Sequence, residues 1–331
     1  MRDVLWLSGA DVEATGVCRI ERAEQIVEEA FRLFDAGQAV IAPESALRLH
    51  GAGRDRACYS LPAYVGGEIN ACGVKWTSHG EAAEAGRSRI QAAVVLNAGD
   101  GGAPMAVLNG TEIGAARTGA VTALALRCLA PKSTRKVALC GAGGQAERQL
   151  QAVLHALPRL EAVSIWSRGN VRSQELSARY QGYPGADVQP ARTLEEAVEG
   201  ADVVISATSA DTPYLEARHL RSASLYCHIG FHEITWEALE QFDRIIVDTW
   251  DEAKDVSGQS LFRYYREGRF QPSRITGTLG AVLSGRLEAP VGTPARKVMF
   301  DAFGLPIFDL CLAREAYLRV RELGLGTPLP W

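Results

Sequence analysis

The sequence contains no apolar run long enough to span a membrane and no closely spaced pair of cysteines. Residues 1–7 lack the long apolar core and the small-residue cleavage site of a secretion signal. The seven cysteines are scattered, which favours reduced and mostly buried thiols over a disulfide framework or a structural zinc site. We therefore expect a cytoplasmic protein without a disulfide, a membrane segment or a bound metal.

The chain also lacks an excess of basic residues. Its 39 Asp and Glu outnumber its 35 Lys and Arg, giving a formal net charge of −4, whereas nucleic-acid-binding domains carry clustered positive charge. Hydrophobic residues make up 47% of the chain and charged residues 22%, as in an ordinary globular protein. A chain of 331 residues exceeds what one hydrophobic core usually organises, so we predict two domains and a small-molecule ligand.

The most informative segment is residues 136–146, in which an apolar strand runs into a glycine-rich turn and then a helix. Gly141 permits the tight turn, Gly143 lets the backbone approach a phosphate, and Ala146 lets the helix pack on the strand. A glycine-rich structural turn is the alternative, but a second strand over 162–166 completes a βαβ unit. The pattern therefore predicts a dinucleotide diphosphate site at the start of that helix. The residues predicted to line it are Gly141, Gly143, Gly144, Gln145 and Ala146.

The end of the second strand has no acidic residue to bind the ribose 2′-hydroxyl of NAD(H). Ser167 and Arg168 stand there instead, with Arg172 close behind. Because a guanidinium complements a 2′-phosphate, we predict that NADP(H) is favoured over NAD(H) and that these three residues bind it. The alternative is that both arginines are ordinary solvated surface residues.

Three further strands, over 201–208, 224–229 and 244–248, predict a mostly parallel, doubly wound sheet. Ligands of such sheets bind beyond the carboxyl ends of the strands, so we place Thr208, Ser209 and Gly230 next to the cofactor.

The first part of the chain does not resemble half of a dinucleotide-binding domain. It combines a helix over 23–33 with several short strands and ends in an alanine-rich helix over 111–129. A second helical pattern covers 299–323, and we predict that this segment packs back on the first part of the chain.

Six ordered motifs carry a resemblance that covers nearly the whole chain. They are S-L-P-A-Y at 60–64, G-V-K-W at 73–76, G-T-E-I-G-A-A-R-T at 110–118, the turn at 141–146, G-A-D-V-V at 200–204 and F-G-L at 303–305. In order and spacing they resemble the ornithine cyclodeaminase/μ-crystallin family. The resemblance implies a homodimer of α/β subunits. It implies a Rossmann domain over 119–299, and a discontinuous α/β substrate-binding and dimerisation domain over 1–118 with 300–331.

The resemblance also implies roles for residues that match the family's motifs. Lys75 and Arg117 correspond to the lysine and arginine that hold an amino-acid substrate in the catalytic site. Thr118 is expected at the cofactor, and Arg48 and Gly304 at the substrate. The residue types suit these roles, because a guanidinium grips a carboxylate bidentately and an ammonium of lowered pKa can transfer a proton. For Lys75 and Arg117 the alternative is a surface ion pair.

The chain departs from the family in the turn that contains Gly230. Cyclodeaminases carry a catalytic aspartate there, and alignment on the Ile-Gly pair puts His232 in its place. Histidine titrates near neutral pH, so we predict His232 as the acid/base and doubt cyclodeamination. The alternative is a histidine satisfied by hydrogen bonds within the turn. His228 lies four residues earlier but has no evident third ligand, so we predict no metal there.

Residues 62–67, Arg89 and residues 257–262 resemble one subgroup, the dehydrogenases that cleave an N-carboxyalkyl amino acid in 2,3-diaminopropionate synthesis. We predict an NAD(P)-dependent oxidoreductase acting on the C–N bond of an amino acid, imine or N-carboxyalkyl amino acid, in a biosynthetic role. Two alternatives stay open. One is an ornithine-type cyclodeaminase that releases ammonia and recycles its cofactor internally, and the other is a non-catalytic, NADPH-dependent binding protein of the μ-crystallin type.

Overall fold

The computed structural model describes residues 3–48, 57–80, 89–293 and 296–331. The chain divides into two compact units, the first comprising Met1–Ala120 with Gly304–Trp331 and the second Val121–Phe303. None of the helices in the described ranges has the length and apolar character needed to cross a membrane.

The described residues form strands and helices along the whole chain. The strands are β1 (Val4–Leu7), β2 (Ala39–Ile41), β3 (Ser45–Arg48), β4 (Ala57–Val65), β5 (Ala71–His79), β6 (Ile90–Ala98), β7 (Pro104–Asn109), β8 (Lys136–Cys140), β9 (Ala162–Trp166), β10 (Asp187–Pro190), β11 (Val203–Ser206), β12 (Leu225–His228), β13 (Arg244–Val247), β14 (Ile275–Thr278), β15 (Val298–Asp301) and β16 (Thr327–Leu329). The α-helices are α1 (Gly9–Ala14), α2 (Ile20–Asp35), α3 (Thr111–Leu129), α4 (Ala146–Ala156), α5 (Val171–Arg179), α6 (Leu194–Val198), α7 (Trp236–Leu239), α8 (Ser260–Arg266), α9 (Leu279–Leu283) and α10 (Pro306–Leu323). Short 3-10 helices cover Ala217–Leu220 and Pro272–Arg274.

The first unit is built on a mixed sheet in the order β16-β1-β7-β6-β5-β4-β2, with β3 also paired to β4. Strands β1 and β7 run parallel, and the other pairs are antiparallel. Alternation along β5 buries Lys75 and Thr77 and leaves Trp76 exposed on the opposite face. Helix α10 packs on β4 and β5, so the buried face of the sheet is the one that carries Lys75.

The second unit contains a parallel sheet in the order β10-β9-β8-β11-β12-β15-β13-β14. Its central strands β11 and β12 are buried along their whole length, because helices cover a parallel sheet on both faces. Strand β9 and helix α3 have the predicted bounds, and β8 lies at the start of the predicted strand–turn–helix segment. The predicted α/β class, with a Rossmann sheet and a separate α/β domain, is confirmed.

The prediction of a continuous helix over 299–323 is wrong at its start. Val298–Asp301 form β15, which inserts between β12 and β13, and α10 begins only at Pro306. A short apolar run has no periodicity that separates a buried strand from a buried helix, and here the pairing partners decide. Because β15 belongs to the parallel sheet, the second unit extends to Phe303.

Candidate active site

The glycine-rich turn after β8 has the conformation that a close approach of backbone requires. Gly141 has a φ of +126°, and a Cβ there would lie 2.6 Å from the carbonyl oxygen of Ala207. Its N–H donates to the carbonyl of Trp166 at 2.8 Å, which anchors the turn to β9. A Cβ at Gly143 would meet nothing within 4 Å. Gly141 is therefore required by the fold, whereas Gly143 leaves space beside the turn.

Helix α4 begins directly after this turn, and its first turn is open to a ligand. Gln145 occupies the N-cap position without a side-chain cap, and its buried Oε1 has no partner among the described residues. Ala146 is fully buried against the sheet, as its small side chain allows, and Gly144 lies in the same turn. Uncapped N–H groups at a helix N-terminus attract an anion, so the turn fits the diphosphate of a dinucleotide.

The residues after β9 face the side of the sheet where a dinucleotide ribose is expected. Ser167 is half-buried, and its Oγ has no hydrogen-bond partner among the described residues. Arg168 and Arg172 are exposed, and within the described ranges neither pairs with a carboxylate. Their positive charges are therefore not neutralised by neighbouring side chains.

A buried carboxylate joins the ends of β11 and β12. Oε1 of Glu233 accepts hydrogen bonds from the N–H and the hydroxyl of Thr208, at 2.7 and 2.6 Å. Oε2 accepts from the hydroxyl of Ser206 at 2.6 Å and from the N–H of Gly230 at 3.1 Å. A Cβ at Gly230 would overlap this carboxylate, so only glycine fits. Glu233 thereby fixes Thr208 and Gly230, two residues predicted to contact the cofactor, and Ser209 follows Thr208 at the same strand end.

His228 extends this network to the neighbouring strand. Its Nδ1 lies 2.7 Å from Oδ2 of Asp301 and its Nε2 lies 3.4 Å from Oε2 of Glu233, with all three side chains fully buried. Burial opposes a positive charge, but the charge and hydrogen bond of Asp301, with Glu233, raise the pKa of His228 overall. The histidine therefore links two carboxylates at the ends of β12 and β15.

His232 lies in the turn after β12 and is half-buried. Its Nδ1 lies 3.1 Å from the Oγ of Ser260, and its ring contacts that of Tyr264 edge-on with 5.5 Å between centroids. Burial and the nearby cation of Arg263 lower the pKa of His232 from its ordinary value of 6.5 to about 4. The side chain is therefore neutral near neutral pH.

In the first unit, Lys75 and Arg117 converge on one carboxylate, that of Asp309 in the first turn of α10. Nζ of Lys75 lies 2.8 Å from Oδ2 of Asp309, and Nε of Arg117 lies 3.4 Å from the same oxygen. The side chains of Lys75 and Asp309 are 7% and 1% exposed, which excludes a solvated surface ion pair. Burial lowers the pKa of Lys75 and Arg117 lowers it further, while Asp309 opposes both effects.

Gly304 makes room for the guanidinium of Arg117. It has a φ of +94°, and a Cβ at this position would overlap the terminal nitrogens of Arg117. Thr118, the next residue of α3, donates its hydroxyl to the carbonyl of Gly114 at 2.9 Å. Arg48 ends β3, but its side chain lies outside the described part of the chain.

Sequence reasoning missed the buried carboxylates Asp309 and Glu233. The available signal was an acidic residue within a segment of buried apolar residues, since Phe308 and Leu310 flank Asp309 and Ile234 follows Glu233. A buried charge is stable only when it is paired. Each of these carboxylates therefore predicts a polar partner elsewhere in the chain.

Comparison with known proteins adds independent findings. The model of the ornithine cyclodeaminase/mu-crystallin family matches residues 5–323. The N-((2S)-2-amino-2-carboxyethyl)-L-glutamate dehydrogenase of Staphylococcus aureus is 24% identical over 339 aligned residues, covering 99% of this chain and 98% of that protein. An NAD(P)H-dependent anabolic L-arginine dehydrogenase of Pseudomonas aeruginosa is 30% identical, covering 67% of this chain and 70% of that protein.

A solved structure shows a similar fold over the full length of both chains. It is the Delta(1)-pyrroline-2-carboxylate reductase of Thermococcus litoralis in complex with NADH and L-proline, with a TM-score of 0.88 and 25% identity. The match covers 98% of this chain and 100% of that one.

Proposed function

The chain belongs to the ornithine cyclodeaminase/mu-crystallin family, and from that premise we propose that it is an NAD(P)-dependent oxidoreductase acting on the C–N bond of an amino acid, imine or N-carboxyalkyl amino acid. The observation that carries this function is the buried meeting of Lys75 and Arg117 on Asp309, in a chain that also has an uncapped dinucleotide turn. The named relatives are dehydrogenases and reductases of amino acids and imines, which supports the same reaction class.

Arg117 is proposed to bind the substrate carboxylate. A guanidinium presents parallel N–H donors that match a carboxylate, and the glycine at 304 leaves the terminal nitrogens of Arg117 uncovered by a Cβ. Asp309 forms an ion pair with the same guanidinium, with 3.4 Å between Oδ2 and Nε, which restricts its orientation. This preorganisation lowers the entropy lost when substrate binds.

Lys75 and His232 are the two candidate residues for handling the proton. The nicotinamide supplies or accepts the hydride at Cα when the cofactor is bound. In the oxidative direction Cα loses a hydride and the nitrogen loses a proton, which leaves an imine that water hydrolyses. Lys75 has a lowered pKa and His232 lies at the carboxyl end of the parallel sheet, so each has one property of an acid/base.

NADP(H) is proposed as the favoured cofactor, since Arg168 and Arg172 lie after β9 with no carboxylate partner in the described ranges. We expect Arg168→Ala to weaken NADP(H) binding about tenfold or more, because one charge-assisted contact to the 2′-phosphate is lost, and to leave NAD(H) nearly unchanged. Titration of both nucleotides by protein fluorescence measures this. Arg179→Ala, which removes an exposed arginine paired with Glu147, is the control and should change neither affinity. An equal loss of affinity for both nucleotides in Arg168→Ala would contradict the proposed preference for NADP(H).

A homodimer is proposed through the outer face of the first-unit sheet. Four large apolar side chains lie exposed on this face, opposite the one that carries Lys75. They are Trp6, Val40, Leu47 and Trp76. Large apolar side chains that are exposed on one face of a sheet are typical of a protein interface.

The proposed function is tested by incubating the purified protein with NAD⁺ or NADP⁺ and a panel of amino acids and N-carboxyalkyl amino acids. Cofactor absorbance and ammonia are followed in the same wells. Net cofactor reduction supports the dehydrogenase and identifies its preferred nucleotide. Ammonia release without net reduction indicates a cyclodeaminase, and tight nucleotide binding without turnover indicates a binding protein. Either result would overturn the proposed function.

A further inference from the structure

Ser260, the first residue of α8, contacts three polar groups of the turn that carries His232. Its Oγ accepts hydrogen bonds from the N–H groups of Glu233 and Ile234, at 3.0 and 3.3 Å. The same Oγ lies 3.1 Å from Nδ1 of His232. Ser260 itself is fully buried, so no water competes for its hydroxyl.

The number of donors and acceptors fixes the direction of the third contact. A serine hydroxyl has one hydrogen and two lone pairs, and here both lone pairs accept backbone N–H groups. Its single hydrogen is then directed at His232, whose Nδ1 must accept it. A neutral imidazole with an accepting Nδ1 carries its hydrogen on Nε2.

We propose that Ser260 is a positioning residue that holds His232 as a neutral Nε2–H imidazole, so that His232 acts in the reaction as a hydrogen-bond donor and not as the acid/base. The role in the reaction rests on the proposed function, whereas the tautomer does not. With Nδ1 occupied by Ser260 and Nε2 already protonated, the ring has no free lone pair to accept a proton.

The charges around His232 favour the same state. Burial, followed by the charges of Arg263 in α8 and His228 in β12, lowers the pKa of the ring, while Asp211 opposes these effects. The sum lowers the pKa of His232 to about 4. The ring edge contact with Tyr264 adds no titrating charge near neutral pH.

The direct test is nitrogen NMR of the full-length protein labelled with ¹⁵N-histidine. The chain has six histidines, and the signals lost in His232→Gln identify the ring in question. We expect a neutral Nε2–H tautomer at neutral pH that titrates only near pH 4. An Nδ1–H tautomer, or titration near pH 6.5, overturns the proposal. Because no turnover is needed, this result is independent of whether the proposed function holds.

The role of Ser260 is tested with a matched pair of variants. Ser260→Ala should allow both neutral tautomers of His232 and so give a mixed signal. Ser260→Thr keeps the hydroxyl and should keep the Nε2–H form. A purely structural role for Ser260 would lower stability in the alanine variant without changing the tautomer, and that outcome overturns the proposal.

The kinetic test separates a donor from an acid/base. His232→Ala should lower kcat about hundredfold, as for the loss of one oriented donor, while His232→Gln keeps an N–H donor and should lower kcat by a smaller factor. Both variants should keep every ionisation that the wild-type pH profile shows near and above neutral pH. The loss of one of these ionisations in either variant would show that His232 transfers the proton and would overturn the proposal.

Discussion

The position of one guanidinium in the first unit depends on the absence of a single Cβ. Gly304 has a left-handed backbone and lies against the terminal nitrogens of Arg117. We expect Gly304→Ala to push the guanidinium aside, raise KM and lower kcat, with kcat/KM reduced about hundredfold. Steady-state kinetics compared with Arg117→Ala measures the effect, because the two variants should show the same pattern.

Backbone strain must be separated from displacement of Arg117. Gly37 has a similar positive φ of +72°, but a Cβ there would meet nothing within 4 Å. Gly37→Ala therefore carries the conformational cost of about 1 kcal/mol without any overlap, and its kinetics should match the wild type. If both alanine variants lost activity equally, the space around Arg117 would not be the cause.

Asp309 controls the titration of Lys75. Its carboxylate raises the pKa of Lys75 against the lowering effect of burial, so Asp309→Asn should lower that pKa further. The ionisation assigned to Lys75 in the pH profile of kcat/KM should move to lower pH. Glu44→Gln removes a weaker contributor of the same sign and should give a smaller shift in the same direction. An unchanged profile in Asp309→Asn, or a shift to higher pH, would contradict the coupling.

At the scale of elements, Glu233 connects the ends of β11 and β12, two parallel strands that no short loop joins. Glu233→Ala would remove the buried carboxylate that accepts hydrogen bonds from Thr208, Ser206 and Gly230. We expect the free energy of unfolding to fall by roughly 3 kcal/mol, since several buried groups lose their partner together. Urea unfolding measures this loss.

An exposed glutamate of the same unit provides the control. Glu237 lies on α7, and its ion pair with Arg269 is long, at 3.9 Å. Glu237→Ala should change the free energy of unfolding by less than about 0.5 kcal/mol. If Glu233→Ala were no more destabilising than this control, the buried carboxylate would not be holding β11 and β12.

The elements that the sequence predicted well are those whose signals are local. Strands β8 and β9 are apolar runs bounded by charged residues or turns, and α3 ends before Pro131, as a proline requires. The start of α10 was misplaced because the short run of β15 fits a buried strand and a buried helix equally well. This run forms a strand because it pairs with β12 and β13, and the local sequence carries no information about those partners.

The candidate site shows the same division between local and distant information. The glycine turn is a contiguous motif and could be predicted from its own residues. Lys75 and Arg117 were predicted from the resemblance to a family. Asp309 is 234 residues away from the lysine that it binds, so its role is fixed by the packing of α10 on the sheet. Burial of a charge is a tertiary property, and neither propensity nor spacing reveals it.

At the scale of the whole molecule, the outer face of the first-unit sheet determines the proposed assembly. Trp76 is 45% exposed on this face. Trp76→Asp would place a charge in an apolar interface, so we expect a monomer where the wild type is a dimer. Sedimentation equilibrium over a range of concentrations distinguishes the two states.

The matched control places the same charge elsewhere. Val171 is 60% exposed at the start of α5 in the second unit, and Val171→Asp should leave the oligomeric state unchanged. A wild type that is monomeric at all concentrations, or a Trp76→Asp variant that remains a dimer, would contradict the assignment of this face as the interface.

The strand order of the second unit also determines when its sheet can be completed during synthesis on the ribosome. Strands β12 and β13 do not pair with each other, because β15 lies between them and is synthesised after both. Until residue 301 has been translated, the nascent chain holds two incomplete half-sheets, each with an unpaired inner edge. Such edges recruit other chains. The last strand of this sheet to be made is therefore the one that ends the period in which aggregation competes with folding.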